Sequence, residues 1–119
     1  MGRTNEFTLV ATTDMSDKLG IAVKIGTTMV NKTPTGVVAT AAKEIDGIIT
    51  DITAGNPQLL AVGKVGDIVF GKVGTGGVTV GDELEVGTDG VLVTKSTGVV
   101  VAKALATGVV NDLIPVIIK

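Results

Sequence analysis

The sequence predicts an all-β fold, a small single-domain β-sandwich or barrel with short hairpins, little helix and an extended N-terminal arm. Valine, threonine and isoleucine dominate the 119 residues, and 17 glycines punctuate them; branched residues favour pleated strands and glycines favour turns. Short apolar runs are separated at close intervals by turn signals, as in sandwiches and barrels. Apolar and polar residues alternate in Ile21–Ile25 and Glu83–Val86, which predicts strands with one buried and one wet face.

The first fifteen residues differ from the rest, since they begin with polar residues and contain no glycine after Gly2. We therefore divide the chain into an N-terminal arm, residues 1–15, and a single β-rich domain, residues 16–119. Phe7 is interpreted either as a core residue or as an anchor that docks into a neighbour's pocket, as aromatic side chains often do. The sequence leaves these two interpretations open.

Each secondary-structure element is predicted from a local sequence pattern. A single helical turn at Asp14–Gly20, capped by Asp14 or Ser16 and ended by Gly20, competes equally with a plain loop. Pro115 cannot donate a backbone hydrogen bond, so the last strand is expected at a sheet edge or with few donor bonds there. The predicted strands are Phe7–Ala11, Ile21–Ile25, Met29–Asn31, Gly47–Ile52, Gln58–Val62, Ile68–Val73, Glu83–Val86, Val91–Thr94, Val99–Leu105 and Ile114–Ile118.

Composition argues against catalysis. The chain contains no cysteine, histidine, tryptophan or tyrosine. Disulfides and thiolate metal sites are therefore excluded, and the usual Ser-His and Cys-His nucleophile pairs cannot be built. We expect a protein that is not an enzyme and needs no cofactor. An enzyme that uses Asp67 or Asp82 with a lysine is the remaining catalytic hypothesis.

Charge and hydropathy bear on the partners. A net charge of −2 argues against nucleic acid, whose binding depends on many lysine and arginine contacts to phosphate. Phe7 and Phe70 are the chain's two aromatic residues, and Phe70, in mid-strand, is expected in the core. No apolar run approaches the roughly 20 residues of a membrane helix, so no membrane partner is expected. A high apolar fraction instead suggests strands buried on both faces or covered by sibling subunits.

Two motifs invite a ligand interpretation. Asp82, Glu83, Glu85 and Asp89 supply the oxygen ligands that calcium prefers, but their spacing does not fit an EF-hand, and solvated strand and turn residues are favoured. Gly-Lys-Val-Gly occurs at 63–66 and at 71–74, yet valine follows each lysine where a phosphate-binding loop needs Gly-Lys-Ser/Thr. No metal or phosphate site is expected. The residues predicted to form turns are Gly81, Asp82, Asp89 and Gly90.

From about Gly20 onward the chain resembles the capsid decoration (cement) proteins of tailed bacteriophages. The most specific match is the turn at Gly77–Leu84 followed by Asp89-Gly90. Ala102 stands where that family usually has glycine, and Pro115 interrupts the closing strand. Further matches are Val23-Lys24-Ile25, Gly36–Ala39, the glycine-flanked pair within Gly55–Val73, Val100–Leu105 and Ile114–Ile118.

The resemblance implies a non-enzymatic protein of the virion that binds the outer surface of the expanded capsid and stabilises contacts between major capsid subunits. It implies the major capsid protein as partner, a homo-oligomer in which a trimer is favoured over a dimer, and host cytoplasm during assembly. The residues expected to contact the capsid or a neighbouring subunit are Gly2, Arg3, Thr4, Asn5, Glu6 and Phe7.

A small β-barrel binding module or a carrier-like domain is the alternative. Carbohydrate-binding modules usually display exposed aromatic residues, which this chain almost lacks. A biotin or lipoyl carrier needs a lysine at a hairpin tip, and Lys95, beside Ser96–Gly98, is the nearest candidate.

Overall fold

The computed structural model describes residues 7–55 and 58–119, and the all-β prediction is confirmed. In this part of the chain a 3-10 turn, Thr88–Gly90, is the one helical element, so no helix there is long and apolar enough to cross a membrane. The strands are β1 (Phe7–Ala11), β2 (Ala22–Val30), β3 (Thr33–Val38), β4 (Gly47–Thr53), β5 (Leu59–Gly63), β6 (Ile68–Lys72), β7 (Glu83–Val86), β8 (Leu92–Thr94), β9 (Ala102–Ala104) and β10 (Leu113–Ile118).

The first half of the chain forms a closed barrel with the strand order β1-β3-β2-β4-β5. Strand β1 closes it, because β1 pairs parallel with β3 and antiparallel with β5. Alternation along each strand places one set of side chains inside. The interior is filled by Leu9, Ala11, Met15, Ile21, Val23, Ile49, Leu60 and Val62.

The second half forms a five-stranded antiparallel sheet with the order β6-β10-β9-β7-β8. A parallel bridge between Val73, which directly follows β6, and Leu92 in β8 joins the two outer strands of this sheet at one end. Its core includes Leu84, Val116 and Ile118, and also Ala22 and Ile48 from the barrel. The barrel and the sheet therefore share apolar contacts and pack as one unit.

One turn geometry starts three strands of this sheet. In Lys64–Asp67, Thr79–Asp82 and Val109–Asp112, the first residue's N–H donates to the aspartate Oδ2, at 3.0, 2.9 and 2.9 Å. The third residue has a positive φ, which favours glycine or asparagine; these are Gly66, Gly81 and Asn111. Its N–H donates at 2.8 Å to a carbonyl of a neighbouring segment, those of Ile118, Ala104 and Val73 respectively. The turn thus tethers each new strand to the sheet.

Three predicted strands are wrong in extent. The separate strands predicted at Ile21–Ile25 and Met29–Asn31 are one strand, β2, which bulges and returns through a two-residue turn into β3. The strand predicted at Val99–Leu105 shrinks to β9. The Val99 N–H donates instead to the carbonyl of Ala42, so this segment packs on the barrel before it joins the sheet.

Two smaller expectations are also resolved. Pro115 does not mark an edge, because β10 lies between β6 and β9; its carbonyl accepts from Leu105, just past the end of β9. The Asp14–Gly20 segment is a loop with turns, in which the Asp14 carboxylate accepts the Ser16 N–H at 3.0 Å. Residues 7–15, assigned to the arm, contribute Leu9 and Met15 to the barrel core.

Candidate interaction surface

Strands β6 and β10 carry apolar side chains on their solvent side. Phe70 lies opposite Pro115, and Ile68 lies opposite Ile117, in the antiparallel ladder. Phe70 is 62% exposed and Ile68 is 65% exposed. Exposed apolar clusters of this kind mark interaction sites more often than scattered single residues do. We call this surface the apolar face and define it by Leu19, Ile68, Phe70, Leu105 and Leu113.

The prediction that Phe70 lies in the core is wrong. Along β6 the inward positions are Val69 and Gly71, and a Cβ at Gly71 would lie 2.6 Å from Leu92 and 3.2 Å from Val116. Because successive side chains alternate, Phe70 points to the opposite side. Lys72 shares that side, and this lysine two positions along was the signal that Phe70 faces solvent.

A groove of about 530 Å³ runs beside the apolar face, between β6 and barrel strand β4. Its lining includes Leu19, Ile49 and Phe70. The Lys72 N–H donates to the Gly20 carbonyl at 3.0 Å, on the side of β6 away from β10. Since backbone groups alternate in direction along a strand, those of Ile68 and Phe70 point the same way. This part of β6 is therefore a strand edge that faces the groove.

A second cleft of about 590 Å³ lies between the loop after β1 and the β7–β8 turn. Its charged residues are balanced, with Asp17, Asp89, Lys18 and Lys72 around it. The Asp17 and Lys18 side chains form an exposed ion pair at 3.8 Å, which contributes little at a surface. We therefore place the candidate site at the apolar groove.

A hairpin projects beyond the paired strands of the barrel. Beyond Ile25 on β2 and before Thr35 on β3, neither strand has a further partner strand. A register shift lies between Ile25 and Met29, and the buried Thr35 hydroxyl donates to the Thr28 carbonyl at 3.0 Å across it. Residues 26–34, here called the hairpin tip, carry Met29, which is 62% exposed, and Val30.

Glu85 is not the solvated side chain that the sequence indicated. It is 8% exposed, and its carboxylate accepts the N–H groups of Ser96 and, at 3.1 Å, Gly98. These hydrogen bonds, first that of Ser96 and then that of Gly98, lower the pKa of Glu85 below its usual value. The loop that it holds covers it and contacts the barrel at Ala42. Glu83, two positions earlier, remains exposed.

The remaining predicted residues lie apart from the groove. Gly2, Arg3, Thr4, Asn5 and Glu6 lie outside the described residues, whereas Phe7 is half-buried and packs against the barrel core. Gly81 and Asp82 belong to the repeated turn, and Asp89 and Gly90 to the 3-10 turn with positive φ.

The residues named in the ligand hypotheses make contacts within their own turns. In residues 7–55 and 58–119 the acidic side chains form no group able to hold a metal ion. Asp67 and Asp82 each bind a backbone N–H of their own turn. The Lys95 ammonium donates to the Ser96 carbonyl at 3.3 Å.

Comparison with known proteins shows a shared fold. No protein-family model matches the chain. No curated protein matches it either. A solved structure, the head fiber gp8.5 N base of bacteriophage phi29, superposes with a TM-score of 0.69 and 18% sequence identity, over 96% of this chain and 92% of that one. At this identity the match establishes a common architecture.

Proposed function

We propose that the protein is a non-enzymatic structural component of a phage virion. In this proposal it binds the outer surface of the expanded capsid and stabilises contacts between major capsid subunits, after residence in the host cytoplasm during assembly. The observation that carries the proposal is the superposition, along nearly the whole of both chains, on the base of a phage head fiber. The sequence resemblance to decoration proteins points to the same class of virion protein.

The surface described above suits this role physically. Phe70 and Ile68 are exposed beside an open strand edge, and an aromatic anchor with surrounding aliphatic side chains is typical of a binding hot spot. A ligand that binds only the expanded lattice stabilises that lattice by mass action. Many symmetric copies would multiply this effect across a shell, without any chemistry at the bound protein.

Co-sedimentation with phage heads tests the proposal. Purified protein is mixed with expanded heads that lack it, and with unexpanded proheads as the matched control. We expect saturable binding to the expanded heads alone and a higher temperature of head disruption. Equal binding to both particles, or none to the heads of its own phage, would contradict the proposal.

A truncation tests the predicted role of the arm. Phe7 and Thr8 pair with Val62 and Ala61 in the barrel, so the deletion must stop before them. We propose that deletion of residues 2–6 leaves a folded domain with an unchanged thermal transition but abolishes binding to heads. If the truncated protein bound heads at normal occupancy, the arm would not be part of the contact with the capsid.

A further inference from the structure

We propose that the Glu85 carboxylate pins a clasp between the barrel and the sheet, and that the clasp opens locally when this carboxylate is protonated, while both sheets stay folded. The clasp is defined as two loops, residues 39–46 of the barrel half and residues 95–100 of the sheet half. Its opening is a property of the chain alone and needs no capsid.

Ala42 is the residue at which the two loops meet. Its N–H donates to the Val86 carbonyl of β7 at 2.8 Å, and its carbonyl accepts the Val99 N–H at 3.2 Å. The barrel loop therefore bridges a strand of the sheet and the loop that follows β8. Gly98 completes the fit, because a Cβ at this position would lie 2.7 Å from the Ala42 Cα.

Glu85 holds the second loop in this position. Its carboxylate accepts the N–H groups of Ser96 and Gly98, and it is the one charged side chain that is buried in the part of the chain that the structure describes. A hydrogen bond to a charged group is roughly twice as strong as a neutral one. A protonated carboxyl group therefore binds these two donors less strongly, and the loop is loosened.

The backbone at Ala42 is strained in the closed clasp. Its φ is +63°, which is unfavourable for a residue that has a Cβ. Such a conformation persists only where the surroundings impose it, and here the hydrogen bonds to Val86 and Val99 do so. Once the second loop is released, relief of this strain favours the open state.

Glu85 is the group through which pH acts on the clasp. The N–H groups of Ser96 and then Gly98 lower its pKa from the ordinary value of 4.5, and the charge of Lys95 lowers the pKa further. The closed clasp is therefore favoured above that ordinary value and is lost as pH falls through the lower, folded value. The other charged residues on the elements around Glu85 are the exposed Glu83, Lys43, Glu44 and Lys103 and the half-buried Asp46, which accepts the Ile25 N–H.

Native-state hydrogen exchange, followed by NMR on the full chain, tests the clasp. The reference amides are those of Ile49 in the barrel and Ala104 in the sheet, each bonded to a backbone carbonyl. After correction for intrinsic rates, we expect the clasp amides to exchange at least about tenfold faster than the references, because a local opening costs less free energy than global unfolding. The clasp amides are those of Ala42, Ser96, Gly98 and Val99.

Two variants separate local opening from global unfolding. Leu60→Ala, in the barrel core and outside the clasp, should accelerate exchange of the references but leave the clasp amides within about twofold of wild type, because the open clasp keeps this core intact. Glu85→Gln should accelerate the clasp amides about tenfold at neutral pH, through loss of the charged acceptor. Glu83→Gln changes an exposed carboxylate on the same strand and should leave the clasp amides unchanged.

Acid and relief of strain should shift the clasp in opposite directions. In wild type the protection of the clasp amides should fall about tenfold between about pH 7 and pH 3, whereas Glu85→Gln should show no such fall. Ala42→Gly should slow their exchange about threefold, since glycine adopts a positive φ without the steric cost but gains more chain entropy on opening.

Three results would overturn the proposal. Exchange of the clasp amides at the reference rate, with an equal response to Leu60→Ala, would mean that they open only by global unfolding. Protection that changes neither with acid nor in Glu85→Gln would show that Glu85 does not pin the clasp. Faster exchange in Ala42→Gly would show that the closed backbone is not strained. Leu60→Val replaces Leu60→Ala if the latter unfolds.

Discussion

Each half of the molecule contains five strands, but different features hold the strands of each half in place. In the sheet half, residues 64–118, three strands each follow a turn of the same type. An aspartate carboxylate closes each of these turns, and a backbone hydrogen bond tethers it to a neighbouring segment. In the barrel half, residues 7–55 and 58–63, no such turn recurs, and order comes from closure of β1 between β3 and β5. Local hydrogen bonds specify the first arrangement, whereas distant pairing specifies the second. Both halves nevertheless contribute to one shared core.

The largest expected effect tests whether that core makes the halves cooperative. Leu60 in the barrel and Leu84 in the sheet are fully buried, and Leu→Ala at such sites costs about 2–5 kcal/mol. We expect Leu60→Ala and Leu84→Ala each to lower stability by this amount within a single transition, measured by urea denaturation with two spectroscopic probes. Leu105→Ala, at an exposed site, should cost below about 0.5 kcal/mol. A separate early transition in either variant would show that the halves unfold independently.

The next effect concerns a glycine at the junction of the halves. Gly90 has a φ of +80°, and a Cβ there would lie 2.6 Å from Ile21 Cγ2 and 2.9 Å from the Ala22 carbonyl. Gly66 has a similar φ of +93° but nothing within 4 Å. Gly66→Ala should cost about 1 kcal/mol for the backbone alone, and Gly90→Ala about 1–3 kcal/mol more for the clash. If thermal denaturation showed equal losses of stability in Gly66→Ala and Gly90→Ala, the backbone at the junction would have shifted to accept the new Cβ without an added energetic cost.

A smaller effect appears as a dependence on pH. The pKa of Glu85 is lower in the folded protein than its ordinary value of 4.5, because the N–H groups of Ser96 and Gly98 bind the carboxylate. A lowered folded pKa gives stability that is present above the ordinary value and is lost as pH falls through the folded value. We therefore expect wild type to exceed Glu85→Gln in stability at neutral pH, and the gap to narrow below about pH 4.5.

Denaturation curves of both proteins from pH 3 to pH 7 measure this gap. A constant gap across the range would indicate that the carboxylate charge has no part in holding the Ser96–Gly98 loop on the barrel. Glu83→Gln is the matched control, since Glu83 is an exposed carboxylate on the same strand. The difference in stability between wild type and this variant should stay near zero.

The smallest effect is a gain at the hairpin tip. Lys32 adopts a φ of +64°, a conformation that costs a residue with a Cβ more than it costs glycine. Lys32→Gly should raise stability by about 0.5 kcal/mol, since glycine favours this turn but loses more chain entropy on folding. Asn31→Gly should gain less, because asparagine already tolerates a positive φ. A loss of thermal stability in Lys32→Gly would contradict a strained turn.

The contrast between the halves also explains what the sequence could predict. Strand β7 was predicted with its bounds, and β6 and β10 to within one residue, because apolar alternation follows a Gly-Asp or Asn-Asp turn. The turn recurs as Val65-Gly66-Asp67, Val80-Gly81-Asp82 and Val110-Asn111-Asp112. Its third copy carries asparagine in place of glycine, which hid the repeat.

In the barrel, β1 was also predicted with its bounds and β4 and β5 to within one residue at each end, but β3 was missed, because its pairing depends on distant residues. Strand β3 begins Thr33-Pro34-Thr35, a polar run with a proline, and only its pairing with β1 and β2 makes it a strand. The apolar face was missed for a related reason, since a single phenylalanine among branched residues is usually core. Glu85 was misassigned because the loop that buries it begins 11 residues later, at Ser96.

Barrel closure by β1 has a consequence for synthesis of the chain. Among the described strands β1 leaves the ribosome first, yet its partners on β3 and β5 lie at residues 35–36 and 59–62. The nascent chain cannot close the barrel until the last of these has emerged. Pairing across such separations is slow, and strands that wait unpaired are prone to aggregate. The rate of translation through the β4–β5 segment should therefore influence the yield of folded protein more than the rate through any later segment.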